Sequence, residues 1–166
     1  MQTRTGHPQD TAQRRRIERV IRRRSFAVLS TTSGRGVPHA AGVGYAAVGP
    51  VLYVHTMRSS RKALNVAATG QAAMVVPARA LPGGPPFTIH FQATASVVAM
   101  DDPSIAGLIA EGRLRSITGH GALDAPDGCF LRIEPTGRIH SYGIGVPTLQ
   151  LLRDPLNAGS RSIDVA

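Results

Sequence analysis

Short apolar and β-branched runs, each broken by glycine or proline, recur along most of this chain. Such runs are typical of strands joined by tight turns, because glycine and proline adopt the backbone angles that turns require. We therefore predict strands over residues 25–31, 38–48, 51–56, 71–76, 87–100, 129–135 and 138–142. Few helical segments separate these runs, so the pattern favours a mainly β (α+β) fold, with a barrel rather than a doubly wound parallel sheet.

Three segments have helical features. Residues 10–24 carry apolar side chains at helical spacing, and Asp10 or Thr11 is expected to cap the first turn. We also predict helices over 61–70 and 103–113, the second of which starts at an Asp-Asp-Pro sequence that is typical of a helix N-terminus. The peripheral helices are therefore few and short.

The length of 166 residues suits one domain with a single core. We expect a disordered N-terminus over residues 1–9, one folded domain over 10–143, and a C-terminal tail over 144–166. No apolar run is long enough to span a bilayer, and the first residues lack the apolar centre of a signal peptide. Cys129 is the only cysteine, so no intramolecular disulfide can form, and a reducing cytoplasm is the expected location.

The net charge of +9 favours anionic partners but does not choose among nucleotides, nucleic acids and membrane surfaces. Many of the basic residues lie in 10–24, where the simplest interpretation is a solvated helix face. A basic nucleic-acid-binding module is the alternative. Only 4% of the residues are aromatic, so stacking on single-stranded nucleic acid has little support in the sequence.

A second basic cluster has features of an anion-binding site. Arg58, Ser59, Ser60, Arg61 and Lys62 connect a predicted strand to a predicted helix, and no acidic residue occurs between residues 51 and 71. A helix N-terminus already holds a partial positive charge, so three further cations are unfavourable there unless an anion neutralises them. Free backbone N–H groups and two hydroxyls add donors that a phosphate would satisfy. The alternative is that these side chains extend into water at little cost. The glycines of a Walker loop are missing, so a phosphate site here would not be a Walker loop.

The segment VLYVHTMRSSRKALN, residues 51–65, resembles the third strand and following helix of the pyridoxamine 5'-phosphate oxidase-like, FMN-binding split barrels. The resemblance implies that Arg61 and Lys62, preceded by Ser60, hold the FMN phosphate. It also implies that His55 and Thr56 lie beside the ribityl chain or the ring. A six-stranded antiparallel split β-barrel with peripheral helices, working as a homodimer with two interface sites, is the fold that this family implies.

The resemblance extends over roughly residues 17–143. It implies that the backbone of the second strand lies along the flavin ring, and the matching residues are Ala41, Gly42, Val43, Gly44 and Tyr45. Glycine there allows close approach of a flat ring, although a bulge or barrel bend is the other common use of glycine in a strand. In the closing hairpin, Tyr142 matches an aromatic residue that lies near the flavin of the other subunit.

Several positions depart from a true pyridoxamine-phosphate oxidase. The family's Arg and Lys of the second strand are replaced here by Ala41 and Ala46, and Phe87 falls near the place of a flavin-contacting glutamine. The family also contains users of the deazaflavin F420 and haem-related proteins. We therefore expect an FMN- or F420-binding oxidoreductase with a small-molecule substrate other than pyridoxamine phosphate. The alternative is a non-catalytic flavin, deazaflavin or haem carrier.

The remaining polar residues give weaker signals. None of the six histidines has the spacing of a metal site, so no metal is expected. His120 lies in a glycine-rich stretch where it would contact substrate or haem. No paired carboxylates or nucleophile motif indicates a hydrolase, and the sequence names no catalytic residue.

Overall fold

The computed structural model describes residues 8–79, 86–119, 121–154 and 159–165. The helices are α1 (Pro8–Arg23), α2 (Arg61–Thr69), α3 (Pro103–Ala110) and α4 (Thr148–Arg153). The strands are β1 (Phe26–Thr32), β2 (Pro38–Gly44), β3 (Ala46–Val48), β4 (Val51–Met57), β5 (Gln71–Arg79), β6 (Pro86–Ala99), β7 (Gly128–Tyr142) and β8 (Ser160–Asp164). His120 lies outside the described residues, as do residues 1–7 of the expected disordered N-terminus.

The described strands belong to one antiparallel sheet, in the order β2-β1-β5-β6-β7-β4-β3. Strand β8 pairs with residues 138–142 of β7. The two ends of this order, β2 and β3, are consecutive in the chain and separated only by Tyr45. The sheet therefore curls back on itself, which confirms the mainly β, split-barrel fold class. The described residues form eight strands, whereas the family resemblance implies six and the sequence pattern predicts seven. The predicted second strand divides at Tyr45, residues 160–164 add one strand, and the last two predicted strands form one.

Two hydrophobic clusters lie on opposite faces of the sheet. The main core fills the barrel and includes the fully buried Leu29, Met74 and Ile133. Helices α1 and α2 also contribute buried side chains to this core. The second cluster lies outside the barrel, where Tyr53 and Phe130 pack against α3 and the turns after it. Strands β4 and β7 contribute side chains to both clusters, because successive side chains of a strand point to opposite faces of the sheet.

Helix α1 starts earlier than predicted, at Pro8, so Asp10 and Thr11 lie within its first turns and neither is the N-cap. Proline suits a first turn because its fixed φ is helical and its missing N–H has no acceptor there. The start of α3 matches the prediction, since Ser104 N donates to the Asp102 carboxylate over 2.9 Å. Helix α2 ends at Gly70, whose φ of 65° is the left-handed conformation typical of a C-cap.

The C-terminal part of the chain is joined to the barrel. The two strands predicted over 129–135 and 138–142 form one long β7, with a register shift opposite Phe91 and Gln92 where Gly137 has a φ of 66°. The expected tail contains α4 and β8, and β8 pairs with β7. Among the described helices, none is long and apolar enough to cross a membrane.

Candidate functional site

The barrel is split between β2 and β4. Strands β3 and β4 pair through Ala46 and Tyr53, and extending that register by two residues would place Gly44 opposite His55. Instead, β2 pairs with β1, as in the pair Gly44–Phe26. The last residues of β4 therefore have β7 on one side and an unpaired edge on the other. Edge strands present free N–H and C=O groups, so both walls of the split can hydrogen-bond a ligand.

The chain leaves the split through a capped helix start. Ser60 is the N-cap of α2, with φ −68° and ψ 146°, and its Oγ accepts from Ala63 N over 3.4 Å. Its Oγ also lies 3.2 Å from Thr56 Oγ1, which ties the cap to the end of β4. The first amides of a helix, here those of Arg61 and Lys62, have no acceptor inside the helix. An anion bound at this turn would accept hydrogen bonds from these amides.

Sequence reasoning missed an acidic residue in this turn. Asp127, just before β7, accepts from Ser59 N over 3.1 Å and from Ser59 Oγ over 2.6 Å through its carboxylate. Its backbone carbonyl accepts from Arg58 N over 2.8 Å. These bonds from Ser59, followed by the charge of Arg58, hold the pKa of Asp127 below its ordinary value. The turn therefore has an acidic neighbour that the stretch between residues 51 and 71 does not contain. An Asp-Gly pair is only a turn signal in the sequence, so nothing there places it beside residue 59.

Asp127 does not balance every cation of the turn. It is engaged by Ser59, whereas Arg61 and Lys62 have no ion-pair partner among the described residues. Arg61 is exposed and Lys62 is half-buried, so both can reach a ligand at the mouth of the split. The arrangement is a rigid turn with two uncompensated cations beside the unpaired edges.

The predicted pair His55 and Thr56 lies at the split, but the two side chains face opposite ways. Thr56 is buried towards Ser60, whereas the His55 ring contacts Phe130 edge to face at a centroid distance of 5.3 Å. Burial lowers the pKa of His55 from its ordinary value, because it disfavours the charged form of the ring. The buried Nε2 has no hydrogen-bond partner among the described residues and faces Gly128, where a Cβ would lie 3.1 Å from it. Only Thr56 can therefore share a surface with the Ser60 cap.

The predicted ring-contacting residues 41–45 reach the split mainly through their backbone. The ring of Phe26 covers Gly42, since a Cβ there would lie 3.0 Å from Phe26 Cε2. At Gly44 the nearest atom to such a Cβ is 3.7 Å away, so this position is more open. Tyr45 is fully buried, and its hydroxyl donates to Ile21 O over 2.7 Å. Burial raises the pKa of Tyr45 well above its ordinary value, despite the opposing charge of Arg24.

Within one chain, Tyr142 is far from the basic turn. It lies at the C-terminal end of β7, whereas Thr56 pairs with Cys129 at the other end. The side chain of Tyr142 packs against Gly159, where a Cβ would lie 2.3 Å from the ring. The structure therefore brings together Thr56 and residues 58–62, but it does not bring Tyr142 to them.

Among the clefts of the described residues are two with volumes of about 490 Å³ and 370 Å³. The larger is lined by residues of β1, β5 and β6, and the smaller lies beneath α1. Neither is lined by residues 58–62. The basic turn therefore lies outside both of these clefts.

Comparison with solved structures shows the fold. Over 78% of this chain and 94% of the other, the heme storage protein HutZ from Vibrio cholerae superposes with a TM-score of 0.66 at 20% identity. A heme binding protein from Mycobacterium smegmatis has a TM-score of 0.69 at 15% identity, over 96% of this chain and 60% of that one. An F420 reductase has a TM-score of 0.52 at 21% identity, over 74% of this chain and 94% of that one.

Sequence comparison supplies the family. The search of curated proteins finds no match to this chain. Residues 14–139, which are most of the chain, match the family profile described as pyridoxamine 5'-phosphate oxidase. This range contains the split and the basic turn, and it agrees with the resemblance found in the strand-to-helix segment. The chain therefore belongs to the pyridoxamine 5'-phosphate oxidase family.

Proposed function

We propose that this chain binds a flavin-type redox cofactor, FMN or the deazaflavin F420, by its phosphate and works as an oxidoreductase. The observation that carries the proposal is the Ser60-Arg61-Lys62 sequence at the start of α2, beside the unpaired edges of the split. The phosphate monoester of FMN carries close to two negative charges and three strong acceptor oxygens, and a phosphate diester carries one negative charge. Two cations, the first helix amides and the Ser60 hydroxyl match that chemistry.

The charge already present at the turn is consistent with this ligand. Asp127 fixes Ser59 and lies near Arg58, so its carboxylate orders the loop without pairing with Arg61 or Lys62. A turn held from outside in this way keeps its donors in place before a ligand arrives, which reduces the entropy lost on binding. The phosphate would therefore meet a preformed group of donors.

The ring would lie in the split. Free backbone groups of β2 and β4 can hydrogen-bond the polar edge of a flavin or deazaflavin. When bound, the cofactor supplies the hydride chemistry, and the protein supplies binding and orientation. Phe26, whose side chain is 53% exposed, covers the neighbouring Gly42 and would border the ring.

A second copy of the chain would close the site. Phe26, Met57 and Leu64 are 53%, 38% and 56% exposed, and they come from elements that surround the basic turn or the split. Burying these apolar side chains in a homodimer would be favourable. It would also add a wall beside the split, to which the partner's Tyr142 would contribute.

The family's vitamin substrate is not part of this proposal. Ala41 and Ala46 stand where pyridoxamine-phosphate oxidases carry Arg and Lys, and alanine offers no group to bind a second phosphate. Similar folds occur in an F420 reductase and in haem proteins, so the cofactor of this chain needs a direct test. Haem binding through His55 is disfavoured by geometry, because its Nε2 is packed against Gly128.

Titration of the purified protein with FMN, F420 and haemin, followed by absorbance, tests the proposal. We expect binding of FMN or F420, and a loss of affinity of about tenfold or more in the variant Arg61→Ala/Lys62→Ala. The control Arg15→Ala/Arg19→Ala removes the same charge from the exposed face of α1 and should leave affinity unchanged. A haemin Soret shift without flavin binding would identify a haem protein and contradict the proposal.

Turnover separates an enzyme from a carrier. If FMN binds, we expect NADPH to reduce the bound cofactor. If F420 binds, reduced F420 should pass its hydride to an added acceptor. Tight binding with no turnover from any donor would instead identify a carrier protein.

A further inference from the structure

We propose that the cleft beneath α1 is a second binding site, for a small amphipathic anion such as a medium-chain carboxylate. This α1 cleft has a volume of about 370 Å³ and lies between α1, the β3–β4 turn and the strands β7 and β8. A volume of this size is at the lower end of the range for small-molecule pockets. The cleft shares no residue with the basic turn at 58–62.

The walls of the α1 cleft are apolar and already buried. Ile17 and Ile21 come from α1, Leu52 from β4, and Ile139 and Ile163 from β7 and β8. Each of these side chains is at most 9% exposed, yet open space remains between them. A hydrocarbon in this space would make dispersion contacts with these side chains and with the rings of Pro50 and Pro135. The walls therefore select a hydrocarbon chain or ring.

The rim of the α1 cleft is charged. Arg14, Glu18 and Arg22 follow one another along α1 at four-residue spacing, so all three lie on one side of the helix. Arg14 is held in place because its Nη2 donates to Asp164 O over 2.7 Å. Two guanidinium groups and one carboxylate leave an excess of one positive charge. That excess favours a single anionic head group over a cationic one.

Charge and volume together define the ligand. A straight-chain carboxylate with about ten carbons would place its tail against the isoleucines and its head beside Arg22, on the side away from Glu18. An equivalent ammonium would meet both guanidinium groups and should be rejected. Unlike a phosphate site, the α1 cleft needs only one negative charge on its ligand.

Isothermal titration of the full-length protein with sodium decanoate, below its micelle concentration, tests the proposal. We expect one decanoate per chain and no measurable heat of binding for decylammonium at the same concentration. Decanoate should also raise the melting temperature, since a ligand that binds only the folded state stabilises it. Equal binding of the two amphiphiles would overturn the proposal, because non-specific hydrophobic association does not distinguish their charges.

Variants on the rim sharpen the test. Arg22→Ala should weaken decanoate binding by about fivefold, the effect of a partly exposed ion pair, and Glu18→Gln should strengthen it by a similar factor. Arg23→Ala is the matched control, since Arg23 is the next residue of α1 and does not line the cleft. Equal affinity in all three variants would overturn the assignment of the rim.

A variant that fills the α1 cleft with a larger side chain tests where decanoate binds. Val165 lines the cleft beyond the end of β8, where its backbone N donates to Gly137 O over 2.8 Å, so the larger side chain of Val165→Trp should enter open space. We expect this variant to fold, to lose decanoate binding and to keep the FMN or F420 affinity of the wild type. Undiminished decanoate binding in the folded variant would overturn the proposal. The proposal would also be overturned if a second copy of the chain occupies the α1 cleft. The protein would then be a dimer that does not bind decanoate.

Discussion

Two strongly basic segments of this protein, α1 and the turn at 58–62, have different surroundings. Helix α1 carries six arginines, and its opposite face is fixed in the core by Ile17, Ile21 and Gln13. The turn has only three cations, but Asp127, the Ser60 cap and Thr56 hold it at the open edge of the barrel. The comparison teaches that a binding site depends on how donors are ordered around a space, and not on how many charges a segment carries.

The largest expected effect concerns the buried face of α1. Ile17 is fully buried in the main core, so Ile17→Ala should lower the free energy of unfolding by about 2–5 kcal/mol through lost burial and a cavity. Urea denaturation measures this change, and Val20→Ala, at a half-buried position, should cost less. If Ile17→Ala leaves stability unchanged, α1 is not fixed by its apolar face and the comparison fails.

A smaller effect is expected where α1 meets the split. Tyr45→Phe removes the hydroxyl that donates to Ile21 O at the end of α1 and should cost about 0.5–1.5 kcal/mol. The aromatic ring stays in the core, so the cofactor affinity should not change. Paired measurements of thermal unfolding and cofactor titration check this, and a large loss of affinity with normal stability would assign Tyr45 to the site.

The contribution of Asp127 to the stability of the protein should depend on pH. Because the pKa of Asp127 is depressed in the folded chain, its stabilising contribution is present at neutral pH. It declines as the pH falls below the ordinary value of 3.8 and is lost below the folded pKa. Wild type should therefore be more stable than Asp127→Asn at neutral pH, and the difference should vanish in acid.

Urea unfolding of both proteins over a pH series measures this difference. Ser59→Ala removes the hydroxyl partner of Asp127. In a protein that already carries Ser59→Ala, adding Asp127→Asn should therefore cause a smaller pH-dependent loss of stability than it causes in the wild type. A difference that persists unchanged in strong acid would show that the carboxylate charge does not order the turn.

The smallest effect is expected on the exposed face of α1. Arg15→Ala/Arg19→Ala should change the free energy of unfolding by less than about 0.5 kcal/mol, since both side chains are in water. Titration with duplex DNA at two salt concentrations checks the alternative role of this face. Steeply salt-dependent binding that the double variant abolishes would show that α1 carries a site of its own.

The sequence predicted the parts of the fold that depend on local patterns. Strands and turns follow from alternation and from Gly or Pro, and Asp102 and Gly70 act as the expected helix ends. The short strand at 160–164 was missed, because its stability comes from pairing with β7 rather than from its own apolar pattern.

The candidate site was predicted less completely, for reasons of distance along the chain. Residues 58–62 form a local motif, and their placement at a helix start is confirmed. Asp127 is 68 residues from Ser59, and only the pairing of β4 with β7 brings the two together. The Phe26 ring over Gly42 likewise depends on the register of β1 and β2, which no local pattern specifies.

The contact between Arg14 and the backbone of Asp164 has a practical consequence for engineering. It places the first helix and the last strand of the described chain side by side. A short linker could therefore join them, with new ends opened at the exposed Arg35 and Gly36, to give a circular permutant with an unaltered sheet. Such a permutant would let a reporter be fused at the β1–β2 hairpin while both helices that cover the barrel stay in place.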